Sequence, residues 1–162
     1  MRGYLNVFGG LDTVGVFLDR PIIIDDLVEG DTYFLSVVAK NSLGSSEPTE
    51  MLGVIPSNND VKTLVVNGFD RVNGTNNTFD FIRQHGSALH AHNFSFDAAS
   101  NEAVINQQIN LVDYQFVDWI LGEEGTSTSV FSYSEQNKII EYLESGKFLF
   151  ISGSEIGYDL EA

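Results

Sequence analysis

The segment with the clearest chemical potential is a carboxylate flanked by two glycines, Gly153-Ser154-Glu155-Ile156-Gly157. It follows the apolar run KFLFIS at 147–152, which predicts a buried strand. A G-x-residue-x-G pattern after a strand is typical of a sharp strand-to-helix turn that exposes a reactive middle residue in a strained conformation. Here the middle residue is Glu155, whose carboxylate can serve as an acid, a base or a nucleophile.

Four further acids are predicted at or near the carboxyl ends of strands, namely Asp70, Asp97, Glu123 and Glu124. Converging carboxylates bind a hard cation such as calcium, or form an acid/base pair in which one pKa is raised. We expect Asp70 or Glu123 to be the partner of Glu155, so these three are the candidate catalytic residues. The alternative, which suits Asp97 in particular, is that such acids cap helices and face water.

Three histidines, His85, His90 and His92, form the pattern H-x4-H-x-H. His90 and His92 share a face if their segment is extended, which permits two bonds to a metal. No third ligand stands at motif spacing. Histidines that are exposed or hydrogen-bonded near a loop are the alternative. We expect no cofactor, with calcium bound by converging carboxylates as the alternative.

Several aromatic residues accompany these groups. Phe94, Phe96, Tyr114, Phe116 and Trp119 are expected in the core or at an interface. Stacking against a sugar is the alternative for Tyr114, Trp119 or Tyr158.

The elements that position these groups alternate between strand and helix from residue 58 onward. Strands are predicted at 61–66, within 87–92, at 113–121 and at 147–152. Helices are predicted at 77–85, at 98–109 with Asp97 as its cap, and from Ser132 or Ser134 to Ser145. This order predicts a parallel sheet with helices on both faces, in which ligands bind beyond the carboxyl ends of the strands.

Residues 1–57 have a different pattern, with β-rich runs and turn clusters. Tyr4 to Phe17 reads as two strands around Gly9-Gly10, and a strict alternation from Tyr33 to Lys40 predicts a half-buried antiparallel strand. A turn at 41–46 precedes a last strand over Glu47 to Ile55. We therefore divide the chain into domains at 1–57 and 58–162.

The first part resembles a fibronectin type III module. The pattern Leu27-x-x-Gly30-x-x-Tyr33-x-Leu35-x-Val37-x-Ala39-x-Asn41-x-x-Gly44, followed by Ser46-Glu47-Pro48, is similar to strands E, F and G of that family. The resemblance covers about residues 2–56 and lacks strands A and B with their tryptophan. It implies a partial β-sandwich that acts as a spacer or binding platform, with a flanking segment or a partner chain covering its open face.

The second part resembles the class I glutamine amidotransferase-like superfamily. The segments VNGFDR, NFSFDAASNEAV, WILGEEGTS and FSYSEQNKIIEYLESGKFLFISGSEIGYDL are similar to the domain found in secreted bacterial xanthan lyase-like or golvesin-domain proteins, where a fibronectin type III module precedes it. The resemblance implies a partial flavodoxin-like sheet. Glu155 stands where the superfamily usually has its cysteine nucleophile, so we expect no amidotransferase activity.

Charge and composition limit the partners. The 162 residues carry a net charge of −15, which repels phosphate backbones and anionic head groups, so we expect no nucleic-acid partner. No stretch approaches the roughly 18 apolar residues that span a bilayer, and the first twenty residues lack the basic-then-apolar layout of a signal peptide. The absence of cysteine excludes disulfides and thiol nucleophiles.

These features lead to three functional hypotheses. The first is a fragment of a secreted or cell-surface bacterial protein whose module, not an amidotransferase, is associated with polysaccharide binding or processing. The second is a polysaccharide hydrolase or lyase that uses Glu155. The third is an adhesion module stabilised by calcium.

Overall fold

A computed structural model describes residues 2–7, 23–60, 62–69, 80–123 and 129–159, with only the backbone given for 2–7 and 158–159. These residues form two four-stranded sheets, one antiparallel and one parallel, with the helices accompanying the parallel sheet. The chain is therefore a mixed α/β protein, as the sequence predicts. None of the helices in the described ranges is long and apolar enough to cross a membrane.

The antiparallel sheet is built around β2 (Tyr33–Asn41). β1 (Arg2–Val7) pairs along one edge of β2, while β3 (Gly44–Ser45) and β4 (Leu52–Val54) pair with opposite ends of the other edge. The side chain of Asn41 forms the β2–β3 turn, since its Oδ1 accepts hydrogen bonds from the backbone N–H groups of Leu43 and Gly44. The predicted last strand over 47–55 is thus confined to 52–54, and the predicted strand at 11–17 lies outside the described residues.

The parallel sheet contains β5 (Thr63–Asn67), β6 (Asp97–Ser100), β7 (Phe116–Gly122) and β8 (Phe148–Gly153) in the order β6-β5-β7-β8. Helix α1 (Ile82–Ala91) connects β5 to β6, and α2 (Asn101–Ile105) with a 3-10 turn (Leu111–Asp113) connects β6 to β7. Helix α3 (Tyr133–Glu144) connects β7 to β8, and α4 (Ile156–Asp159) follows β8. Because every connection returns the chain in the same direction, all four carboxyl ends lie at one edge.

Two apolar cores lie on opposite faces of this sheet. Alternation along β5 sends Leu64 and Val66 into the core that also holds Tyr142 of α3, whereas Val65 joins the core that holds Ile82 of α1. Every residue of β5 is buried, which is typical of a parallel strand covered on both faces. The helices therefore flank the sheet on both sides, as the alternating pattern predicts.

The antiparallel sheet contacts the α1 side of the parallel sheet. Met51 and Ile55 belong to the core that surrounds Ile82, and the N–H of Ile55 donates to the carbonyl of Phe96 at 3.0 Å. Phe34 packs against the same core. One face of the antiparallel sheet is thus partly covered from within the chain, and the two predicted domains share a core.

Two predicted elements are wrong. Residues 87–91, predicted as strand, continue α1, because Ile82, Gly86 and Leu89 repeat at helical spacing and turn one face towards Phe96. The helix predicted over 98–109 is instead β6 followed by the five-residue α2. Its cap is Ser100, whose hydroxyl accepts from the N–H of Ala103, and Asp97 begins the strand.

Candidate functional site

The segment after β8 forms a tight turn at the carboxyl edge of the parallel sheet. A side chain at Gly153 would place its Cβ 2.6 Å from the Cβ of Leu121, so only glycine allows this approach of β8 to β7. The N–H of Ser154 donates to the carbonyl of Gly122 at 2.9 Å, and Ile156 packs against the core on the α3 side. The residue between these two anchors is Glu155.

Glu155 adopts a left-handed backbone conformation with φ +63°. For a residue with a Cβ this conformation costs about 1 kcal/mol or more, and such strain is concentrated at sites where a side chain must be presented. The side chain is exposed and stands immediately before α4. The turn therefore has the geometry that the glycine pattern predicts, and it displays a carboxylate.

Glu123 lies at the same edge as Glu155. It follows β7 directly, and Gly122, the last residue of β7, pairs with Gly153, the last residue of β8. Glu123 is exposed. The topology thus brings together two of the three predicted catalytic residues, at the ends of neighbouring strands.

The remaining predicted carboxylates are placed differently. Asp70 and Glu124 lie outside the described residues. Asp97 is at the amino end of β6, and its prediction as a strand-end acid is wrong. Its carboxylate accepts a hydrogen bond of 2.8 Å from the hydroxyl of Tyr114. Burial, and then this hydrogen bond, raise the pKa of Tyr114 far above the usual value for tyrosine.

The condition for a metal pair of His90 and His92, an extended segment, is not met. His90 is in α1 and His92 immediately follows it, and residues two apart on a helix do not face each other. The Nδ1 of His90 lies 3.1 Å from the hydroxyl of Thr32. Among the residues that the structure describes, no group of three or more acids, histidines or cysteines could hold a metal ion. Calcium binding stays a prediction, because Asp70 and Glu124 fall outside those ranges.

The candidate sugar-stacking residues differ in exposure, and Trp119 is too deeply buried to stack against a sugar. Trp119 has no exposed surface, and the hydroxyl of half-buried Tyr114 is bonded to Asp97. The side chain of Tyr158 is not among those described. Of the aromatics expected in the core or at an interface, Phe94 lies outside the core and is 56% exposed.

The sequence does not predict one pair of titratable residues that the structure brings together. The Nδ1 of His85 lies 2.7 Å from Oδ2 of Asp118, and Asp118 is only 5% exposed in the middle of β7. The pair lines a groove of about 420 Å³ between α1 and the β7–β8 half of the sheet. The sequence marks only Asp118, which is the one acid in the apolar run FVDWIL.

Comparison of the chain with models of known protein families gives no match, and comparison with curated proteins gives none.

Proposed function

We propose that this chain is part of a secreted or cell-surface multidomain bacterial protein and acts as a polysaccharide-associated module that is not an amidotransferase. In this proposal the antiparallel sheet is a partial fibronectin type III module. The parallel sheet is a partial flavodoxin-like domain related to the class I glutamine amidotransferase-like superfamily. The order β6-β5-β7-β8 supports the second assignment, because it matches the order 2-1-3-4 of flavodoxin-like sheets.

The observation that carries the proposal is the conformation of Glu155. A residue at φ +63° between a parallel strand and a helix is what a nucleophile elbow requires, and here it displays a carboxylate. A carboxylate does not form the thioester that a cysteine forms with glutamine, and the chain has no cysteine. A carboxylate does accept charge-assisted hydrogen bonds from hydroxyl groups, which sugars present in abundance.

A polysaccharide hydrolase or lyase is the second candidate, and the placement of Glu123 favours it. Glycosidases generally use two carboxylates on either side of the scissile bond. Glu123 and Glu155 follow neighbouring strands and are both exposed at the same edge. In this candidate Glu155 is the acid/base or the nucleophile and Glu123 is its partner.

A polysaccharide panel that includes xanthan and uncharged glycans tests both candidates. We expect the protein to bind at least one member in affinity electrophoresis or calorimetry. We expect Glu155→Gln to weaken that binding about tenfold to a hundredfold, because hydrogen bonds to a charged group are lost. The matched control is Glu144→Gln at the exposed end of α3, which should bind like the unmodified protein.

Product analysis by reducing-end assay and mass spectrometry separates the two candidates. Cleavage that disappears in both Glu155→Gln and Glu123→Gln supports the enzyme. Binding without cleavage supports the module. If no polysaccharide binds at millimolar sugar, or if Glu155→Gln binds as well as Glu144→Gln, the role proposed for this turn is wrong.

A further inference from the structure

A hydrogen-bonded pair of titratable side chains lies on the α1 face of the parallel sheet, away from the turn at Glu155. The carboxylate of Asp118 is bonded to Nδ1 of His85 at 2.7 Å, and the Asp118 side chain is 7% exposed. The other oxygen, Oδ1, has no hydrogen-bond partner among the described residues. A buried carboxylate with an unpaired oxygen is costly, and such exceptions mark places where a partner or a chemical role is missing.

This pair fixes the chemistry of the imidazole. With Nδ1–H donating to Asp118, the neutral ring of His85 has its lone pair on Nε2, which is then a hydrogen-bond acceptor. No described residue occupies Nε2, and the side chain of His85 is 21% exposed. The groove therefore contains one oriented acceptor.

The walls around this acceptor are mainly apolar. Phe150 is opposite Asp118 in the β7–β8 pairing and shares its face, and Phe116 is two residues before Asp118 on the same face. Ala88 and Leu89 of α1 and Phe94 add further apolar surface, and the polar residues Gln84 and His92 also line the groove. Phe94 and Phe150 are 56% and 52% exposed, so their rings border an open groove.

The dimensions and charge of the groove limit what can occupy it. A volume of about 420 Å³ falls in the range of small-molecule sites, which combine apolar walls with a few oriented polar groups. The net charge of −15 and the carboxylate of Asp118 disfavour an anion. A free sugar is a poor fit, because most of its hydroxyls would meet phenylalanine rings.

We propose that this groove binds a small uncharged aromatic compound with a hydroxyl group. The hydroxyl donates to Nε2 of His85, Asp118 holds the imidazole in that tautomer, and the phenylalanine rings enclose the aromatic ring. This site is independent of the function proposed for Glu155, from which it differs in face and in ligand chemistry.

Phenol and anisole are the matched probes, since anisole has the same ring but no donor. Titrations of ¹⁵N-labelled protein at neutral pH should show phenol shifting the amide signals of α1 and of Asp118, with a Kd on the order of 1 mM for so small a ligand. Anisole should bind about threefold to tenfold more weakly, which is the worth of one hydrogen bond. Signals from β1 and β3 should not move.

Asp118→Asn tests the positioning role with almost no change in volume. The amide can donate its N–H to Nδ1, which moves the ring proton to Nε2 and converts the acceptor into a donor. We expect this variant to lose the preference for phenol over anisole. The control is His90→Gln, a histidine on the same helix that is bonded to Thr32 instead, and it should keep the full preference.

A second variant keeps the test decisive if Asp118→Asn does not fold. Phe94→Ala removes an exposed wall residue outside the pair and should weaken phenol and anisole alike, about threefold to tenfold, with the preference intact. The proposal is overturned if neither probe shifts the α1 signals, if both bind equally well, or if folded Asp118→Asn keeps the preference for phenol.

Discussion

At the scale of single residues, some positions have backbone conformations or close contacts that cost folding free energy. They occur where a side chain is displayed or where a ring is packed against the backbone. Glu155 has a left-handed backbone that any residue with a Cβ adopts at a cost, and Gln107 shares this property with φ +59°. Gln107 lies in the turn after α2, away from the strand-to-helix turn at Glu155. The two positions allow the energetic and functional consequences of the conformation to be separated.

We expect Glu155→Gly to stabilise the fold by roughly 0.5–1 kcal/mol, because glycine adopts φ +63° without steric cost. Gln107→Gly should give a similar gain. Urea denaturation measures both, and polysaccharide binding should be lost only in Glu155→Gly. A loss of stability in Glu155→Gly would show that its side chain contributes more to folding than its backbone costs.

A second constraint on a single residue is steric, because the backbone at Gly68 lies close to the indole of Trp119. A Cβ at Gly68 would overlap the indole of Trp119, which is fully buried and has no room to move. We expect Gly68→Ala to destabilise the protein by about 2–3 kcal/mol in urea denaturation. Gly157→Ala is the control, since a Cβ there meets nothing within 4 Å, and it should change stability by less than about 0.5 kcal/mol.

At the scale of elements, α3 shows how local sequence fixes a boundary. The hydroxyl of Ser132 accepts from the N–H of Glu135, and the carboxylate of Glu135 accepts from the N–H of Ser132, which completes a capping box. Glu135 is 4% exposed and also accepts a hydrogen bond of 2.9 Å from Asn101. The cap thus ties the start of α3 to the start of α2.

We expect Ser132→Ala to lower the free energy of unfolding by about 1 kcal/mol, because a first-turn amide loses its acceptor. Ser134→Ala, two residues later on the exposed surface of α3, is the matched control and should have almost no effect. Chemical denaturation monitored by circular dichroism measures both. Equal effects of the two substitutions would contradict the importance of the cap.

The elements that the sequence predicts well are those with strong local signals. The strand predictions at 61–66, 113–121 and 147–152 agree with β5, β7 and β8 within about three residues at each end. Ser132, one of the two serines predicted to begin the following helix, is the cap of α3. The helix predicted over 77–85 ends just before Gly86, whereas α1 continues through this glycine to Ala91. In the structure this glycine allows α1 to approach Phe96 closely.

The candidate site was predictable only in part, for a related reason. The turn at Glu155 is encoded locally by glycines around one residue, and its position at the end of a strand follows from the apolar run before it. The pair of His85 and Asp118 depends on how α1 crosses the sheet, which no local pattern reveals. Its contact joins residues 33 apart in sequence.

At the scale of the whole molecule, alkaline pH tests how tightly the parallel-sheet part is packed. Burial raises the pKa of Tyr142 from 10.0 to about 12, although its hydroxyl donates to the carbonyl of Phe148. The pKa of Tyr114 is raised as well. Both tyrosines therefore hold their protons more tightly in the folded state than in the unfolded state.

The sign of the pH dependence follows from these shifts. Below pH 10 the folded and unfolded states both keep the tyrosine protons, so the contribution of these groups to stability is fully present. Above pH 10 the unfolded state loses the protons first, and the free energy of unfolding falls. We expect the urea midpoint to fall between pH 10 and pH 12, and to fall less steeply in Tyr142→Phe. Tyr133→Phe is the control, since Tyr133 is 78% exposed, and it should follow the unmodified protein.

The contact between the two sheets makes a further prediction for the molecule as a whole. Phe34 of the antiparallel sheet packs on the same core as Phe96 and Ile82, and Met51 and Ile55 are buried in that core. Each sheet covers apolar residues of the other in this core. We therefore expect the described parts of both sheets to unfold in one cooperative transition. The sole tryptophan, Trp119, is buried in the parallel sheet and reports on that sheet alone.

Phe34→Ala changes a residue of the antiparallel sheet, and the fluorescence of Trp119 reports its effect on the parallel sheet. We expect it to lower the midpoint of the Trp119 fluorescence transition by the equivalent of about 2–3 kcal/mol, because a large apolar ring is removed from a shared core. Leu43→Ala, in the β2–β3 turn and 95% exposed, should leave the midpoint unchanged. If Phe34→Ala also leaves the Trp119 transition unchanged, the sheets unfold independently and the boundary near residue 57 separates two energetic units. If the midpoint shifts as expected, the antiparallel sheet contributes to the stability of the parallel sheet. A variant that lacks residues 1–57 would then expose the part of the shared core that Ile55 covers.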